Sequence, residues 1–105
     1  MKLDAAQLER VANQFRAFAE ATRLAILQEL KGGELSVSEI VDALPTSQAN
    51  VSKQLKILHD AGIVTRRKQG TQVIYQISDP MVFELCSLVC NKLNREAVKP
   101  AKIRF

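Results

Sequence analysis

The sequence predicts a mainly α, α+β fold of five helices and one β-hairpin. Three observations carry this. Four segments before Gly62 repeat apolar residues at helical spacing, residues 63–77 switch to strand-like patterning, and helical spacing returns after Asp79-Pro80. At 105 residues there is room for one domain and no second core. So small a domain buries a modest fraction of its surface, and a partner subunit is a natural source of further burial.

Taken in order, Leu8, Val11, Ala12, Phe15, Phe18 and Ala19 mark an amphipathic helix from about residue 5 to 19. Thr22 is the expected cap of a second helix, which carries Leu24, Ile26, Leu27 and Leu30 and stops at Gly32-Gly33. Leu35 begins a short extended piece. Ser36-Val37-Ser38-Glu39 then matches a capping box, in which a serine oxygen and a glutamate three residues on satisfy free amides at a helix start. This third helix is short, turns Val37, Ile40, Val41 and Leu44 inward, and is closed by Pro45. Ser47 caps a fourth helix running to about Asp60, with Val51, Leu55 and Leu58 as its buried stripe and Ala61-Gly62 as its stop. Residues 63–67 and 71–77 read as strands around a turn at Lys68-Gln69-Gly70, where Gly70 supplies a positive φ. Asp79-Pro80 opens the last helix, which runs to about Arg95. The domain therefore covers residues 1–95, and residues 96–105 form a tail with no clear period, a candidate disordered segment.

Composition excludes several classes of function. No apolar run approaches the roughly 18 residues that span a bilayer, so no membrane role is expected. Met1-Lys2-Leu3-Asp4 lacks the apolar core of a signal peptide, which points to the cytoplasm. The two cysteines, both in the last helix, are not a secreted disulfide framework. One His, no glycine-rich phosphate loop and no clustered carboxylates leave little for an enzyme to work with. The net charge of +4 is unevenly placed: residues 1–46 sum to −2, residues 47–78 to +4 and residues 79–105 to +2. Positive charge gathered in the second half suits a face that meets a polyanion.

Two short helices joined by a tight turn and followed directly by a hairpin describe a winged helix-turn-helix. On the fourth helix the buried stripe leaves Ala49, Lys53, Lys56 and Asp60 on the opposite face, flanked by Asn50 and Ser52, with Ser47 and Gln48 at the helix start. Small, amidic and cationic side chains suit a major groove, where Asn and Gln pair with adenine and Lys reaches phosphate or guanine. In the hairpin, Arg66, Arg67 and Lys68 with Gln69 and Gln72 form a basic tip suited to the adjoining backbone or minor groove. The expected partner is double-stranded DNA.

The runs Ala21-Thr22-Arg23-Leu24-Ala25-Ile26-Leu27, Leu35-Ser36-Val37-Ser38-Glu39-Ile40, Ser47-Gln48-Ala49-Asn50-Val51-Ser52-Lys53-Gln54-Leu55-Lys56-Ile57-Leu58 and Gly62-Ile63-Val64 resemble the ArsR/SmtB family of bacterial repressors over about residues 5–95. The resemblance implies a homodimer built on the first and last helices, a palindromic operator, and release of DNA when a metal ion or other signal is sensed. Leu8, Phe15 and Phe18 with Leu85, Val89 and Leu93 are the candidate dimer surface, since together they offer more apolar area than a short domain covers alone.

At the signal-sensing positions the chain departs from the family. Ser36 and Ser38 stand where soft-metal sensors carry a Cys-Val-Cys box, and hydroxyls do not replace thiolates for a soft metal. Asp79 stands where zinc sensors have a ligand, but Met81, Lys92 and Arg95 fill the other positions, so no metal site and no cofactor are expected. Cys86 and Cys90, one turn apart, are either buried apolar residues or a candidate thiol sensor. The expected function is a homodimeric, sequence-specific repressor released by a small inducer or thiol-reactive signal whose identity the sequence does not give. A weakly specific DNA binder without an inducer and a winged-helix protein-interaction module are the other readings.

Overall fold

The computed structural model describes residues 1–96 and 102–105. Five helices and three strands follow in the order α1 (Ala5–Phe18), α2 (Ala21–Leu30), β1 (Leu35–Ser36), α3 (Val37–Ala43), α4 (Gln48–Asp60), β2 (Val64–Gln69), β3 (Gln72–Ile77) and α5 (Met81–Glu96). Helices and wing share one core. Ile26 and Leu27 of α2, Ile40 of α3, Val51, Leu55 and Leu58 of α4, Ile63 and Val64 at the start of the wing, and Val82 of α5 are all essentially sealed from water.

The helix ends show why these segments stop and start where they do. Asp4 accepts from the Gln7 amide while the Gln7 side chain accepts from the Asp4 amide, a capping box at α1 that the sequence reading overlooked. The expected box at α3 is present in the same form, between Ser36 and Glu39. Ser47 caps α4 through the Asn50 amide. At α2 the cap is Glu20 rather than Thr22: its carboxylate accepts from the amides of Thr22 and Arg23. A carboxylate makes a charge-assisted bond there and suits the positive end of the helix dipole, so the helix begins two residues earlier, at Ala21. Those bonds, the one from Thr22 first, lower the Glu20 pKa from its ordinary value.

At the other end of α4, Gly62 adopts φ +75°. The Gly62 amide donates to the His59 carbonyl and the Ile63 amide to that of Leu58. This paired closure needs the left-handed residue and brings Leu58 and Ile63, both buried, together. It also fixes the direction in which the wing leaves the helix. The wing turn differs from expectation. It comprises Gly70 and Thr71 alone, between the paired residues Gln69 and Gln72, so Lys68 and Gln69 belong to β2. Gly70 at φ +64° followed by a residue of negative φ is the II′ pattern, whose twist matches its flanking strands and needs no third residue. The extended piece at Leu35 is a third strand: β1 pairs antiparallel with β3, Leu35 opposite Tyr75, and makes β3 the central strand of the sheet.

Of the tail, residues 97–101 lie outside the described residues, and Glu96 ends α5. Residues 102–105 lie back against the body. Asn94 brackets Ile103 with two hydrogen bonds, Nδ2 donating to its carbonyl at 2.7 Å and Oδ1 accepting from its amide at 2.8 Å. Phe105 packs against the core, and Lys31 Nζ donates to its carbonyl at 2.5 Å.

Candidate nucleic-acid interface

The buried stripe of α4 turns one row of side chains outward. Ser47, Gln48, Ala49, Ser52, Lys53 and Lys56 are all exposed. Lys56 forms an ion pair with Asp60 one turn on, at 2.7 Å, and that bond lowers the Asp60 pKa from its ordinary value. Lys53 makes no ion pair among the described residues, so its ammonium is free to meet an outside anion. Asn50 sits differently. It is half-buried, its Nδ2 donates to Thr46 Oγ1 at 3.0 Å, and its Oδ1 accepts from Gln54 Nε2 at 3.1 Å. A polar cleft of about 260 Å³, lined by Ser38, Gln48, Ser52, Thr71 and Gln72 among others, separates the start of α4 from the wing.

In the wing, the register places Arg66 opposite Tyr75, Arg67 opposite Ile74, Lys68 opposite Val73 and Gln69 opposite Gln72. Successive side chains alternate faces, so Arg66 and Lys68 share one side and Arg67, Gln69 and Gln72 the other. Arg67 grips the Glu34 carboxylate with both terminal nitrogens, at 2.5 and 2.8 Å, and also donates to Gln69 Oε1. These bonds lower the Glu34 pKa from its ordinary value. The sequence predicts Arg67 and Gln69 in a basic tip turned toward DNA, whereas the Arg67 guanidinium is held by Glu34 and Gln69 and pins the wing to the loop before β1. Arg66 reaches only the Tyr75 hydroxyl, at 3.5 Å, and Lys68 has no ion-pair partner among the described residues.

The terminal helices carry the other unbalanced surface. Leu8, Phe15 and Val89 each leave more than half of their surface in water, and Leu93 nearly half. Val11 and Leu88, which the sequence reading did not select, are exposed beside them. Leu85 is half-buried. Phe18 belongs to the protomer's own core, because the last turn of α1 is where that helix meets the body; it lies beneath the surface rather than on it. An almost wholly apolar cleft of about 430 Å³ runs between α1 and α5, and both thiols line it. Cys86 is buried and Cys90 half-buried. Burial, with the neighbouring Cys90, pushes the Cys86 thiol pKa up. His59 is half-buried at the end of α4, with Nδ1 3.8 Å from Asp60. Among the described residues no three of His, Cys, Asp and Glu come together as metal ligands would, and no helix is long and apolar enough to cross a membrane.

Helices α3 and α4 with the β2–β3 hairpin define a winged helix-turn-helix, with α4 in the place of a recognition helix. The family model for bacterial regulatory proteins of the arsR family matches residues 20–66. An uncharacterized HTH-type transcriptional regulator of Methanocaldococcus jannaschii is 44% identical over 77% of this chain and 92% of its own length. The HTH-type transcriptional regulator NmtR of Mycobacterium tuberculosis is 34% identical over 79% of this chain and 69% of its own. Among solved structures, the homodimeric winged helix-turn-helix DNA-binding domain from Mycobacterium bovis superposes with a TM-score of 0.78 at 30% identity, covering 93% of this chain and 95% of that one. The chain belongs to the ArsR family of bacterial regulatory proteins, and it is a transcriptional regulator rather than an enzyme.

Proposed function

We propose that this chain is a homodimeric repressor that binds a two-fold symmetric operator in the cytoplasm. The observation that carries the reading is the outward row of α4 beside the wing. Gln48, Ala49, Ser52 and Lys53 share an exposed helix face, and Arg66 and Lys68 continue its positive charge. In this reading α4 lies in the major groove, with Gln48 and Ser52 toward base edges and Ser47, Lys53 and Lys56 toward phosphate. The wing, through Arg66, Lys68 and Gln72, follows the adjoining backbone, while Arg67 and Gln69 hold its shape. Asn50, engaged on both sides by protein, shapes the start of α4. Two-fold pairing through Leu8, Phe15, Leu85, Val89 and Leu93 sets two copies of α4 against successive major grooves. The test is selection from a randomised duplex pool followed by footprinting. A symmetric site with half-sites about one helical turn apart is expected; enrichment of no sequence would end the repressor reading.

Cys86 and Cys90 are the proposed receivers of a thiol-directed signal. Both line the apolar cleft between the terminal helices, so a change in their bulk or polarity acts on the surface that holds the dimer. Cys90, the more exposed, is where a reagent arrives first. Operator binding by a Cys86→Ser, Cys90→Ser variant, compared with wild type under reductant, oxidant, persulfide donor and soft metal, decides this. An identical response in both proteins returns the thiols to a packing role.

A further inference from the structure

One buried polar side chain interrupts the apolar stripe of α4. Gln54 is 7% exposed and lies among Val51, Leu55 and Leu58, where a leucine would fill the same space without losing hydration. Its partners explain what it does. Gln54 Oε1 accepts from Arg23 Nη1 at 2.6 Å, across 31 residues of sequence. The Arg23 side chain is itself only 12% exposed. Its two other donors reach the end of α1, Nε to the Ala17 carbonyl at 2.8 Å and Nη2 to the Arg16 carbonyl at 3.0 Å. On the far side, Gln54 Nε2 donates to Asn50 Oδ1, and Asn50 Nδ2 donates to Thr46 Oγ1 in the turn that precedes α4. A continuous line of hydrogen bonds therefore joins the carboxyl end of α1 to the first turn of α4.

The direction of that line is fixed by chemistry. A guanidinium only donates, so Gln54 must present its oxygen to Arg23 and hence its nitrogen to Asn50. Asn50 must then offer its oxygen to Gln54 and its nitrogen to Thr46. No buried side-chain nitrogen or oxygen among the described residues is left without a partner. The apolar stripe by itself resists separation of α4 from the core but resists rotation weakly, because apolar contact is not directional. A turn of about 15° about the helix axis moves side chains at roughly 6 Å radius by about 1.5 Å. Recognition geometry tolerates about 0.5 Å. A directional bond near the middle of the helix and another at its start remove that freedom.

We infer that Arg23 and Gln54 are positioning residues for DNA recognition, which seat the recognition helix against the end of α1 without touching DNA themselves. The inference rests on the reading of α4 as the recognition helix. It adds that the rotational setting of α4 is tied to the helix proposed to form the dimer, so that dimer geometry and groove-reading geometry are joined through these two side chains.

The experiment compares wild type, Gln54→Met, Gln54→Glu and Thr46→Val on two probes: a duplex that wild type selects from a randomised pool, and poly(dI-dC). Gln54→Met fills the same space without the bonds, and is expected to lose about 10- to 100-fold in affinity for the selected duplex. Its poly(dI-dC) binding and its sedimentation should stay as in wild type. Gln54→Glu still accepts from Arg23, and Asn50 can turn over to donate to the carboxylate and accept from the Thr46 hydroxyl, so most of the ratio between the two probes should return. Thr46→Val cuts only the far end, at a half-buried residue of the turn before α4, and leaves the Arg23–Gln54 bond in place. It should lower the ratio and shift the Gln54 side-chain amide resonance. An unchanged ratio in Gln54→Met, or an equal loss on both probes, overturns the positioning role. If Gln54→Met fails to fold, an unchanged ratio and an unmoved Gln54 amide in Thr46→Val overturn it instead. If wild type enriches no duplex, the DNA-binding reading falls first and this one with it.

Discussion

Replacing Phe15 with Ala tests the dimer surface without touching the fold of the protomer. Phe15 leaves 57% of its surface in water, so its ring adds little to the protomer core. Burying a whole aromatic side chain contributes about 1.5–3 kcal/mol, so covering the exposed half contributes roughly 1–1.5 kcal/mol. A two-fold interface uses the residue twice, which makes the loss about 2–3 kcal/mol per dimer. At 1.4 kcal/mol per tenfold, the dimer dissociation constant should rise about 30- to 150-fold. Sedimentation equilibrium over a concentration series measures it directly, and far-ultraviolet circular dichroism checks that the helices are intact, Ala being the better helix former. Operator binding should become dependent on protein concentration in the same range. A dissociation constant within threefold of wild type, or a wild type that is monomeric at micromolar concentration, would refute the assignment of this face.

Other substitutions read the remaining parts. Lys53→Ala should lower affinity for any duplex and flatten the salt dependence by about one phosphate contact, whereas Gln48→Ala should cost about 1–3 kcal/mol only at its preferred base; salt titrations on selected and scrambled duplexes separate the two. Ser47→Ala removes the cap of α4 and should cost about 1 kcal/mol, a fall in Tm of roughly 4–8 °C, by thermal denaturation. Glu34 is depressed by its bonds to Arg67, so the wing pin holds above the ordinary glutamate pKa of about 4.3 and is lost as pH falls through the lower folded value. Glu34→Gln should abolish that acid transition in the Arg67 side-chain resonances; its persistence would place the transition elsewhere. In a Cys90→Ser variant at neutral pH, Cys86 should react with a disulfide reagent far more slowly than the denatured chain does, because burial keeps it as the thiol.

Much of this structure was legible because local rules suffice for it. Helix starts at Ser36 and Ser47 depend on a few adjacent residues, and both caps form where the sequence places them. The buried stripe Val51, Leu55 and Leu58 follows from period alone. The errors arise where a local rule met a competitor it could not rank. Thr22 and Glu20 both can cap α2, and the charged group wins because its two oxygens hold two amides at once. Lys68 and Gln69 look like loop because they are polar, yet Gly70 alone supplies the dihedral that a two-residue turn requires.

The larger gaps concern partners distant in sequence. Charge counting treats Arg67 as a free cation, since it sees neither that β1 brings the preceding loop beside the wing nor that Glu34 then lies within 2.5 Å. The same limit hid Gln54. It stands three residues after Val51 and four before Leu58, inside the arc that helical period assigns to the core, and a polar residue in that arc was the available signal. Period says which way a side chain points, not what waits opposite, and Arg23 lies on another helix that also has to hold the end of α1. A glutamine in such a place is explained only once its donor is known. The donor's other bonds then say why the position is polar: it ties the seating of α4 to the end of α1 by directional bonds that the apolar core they share does not supply.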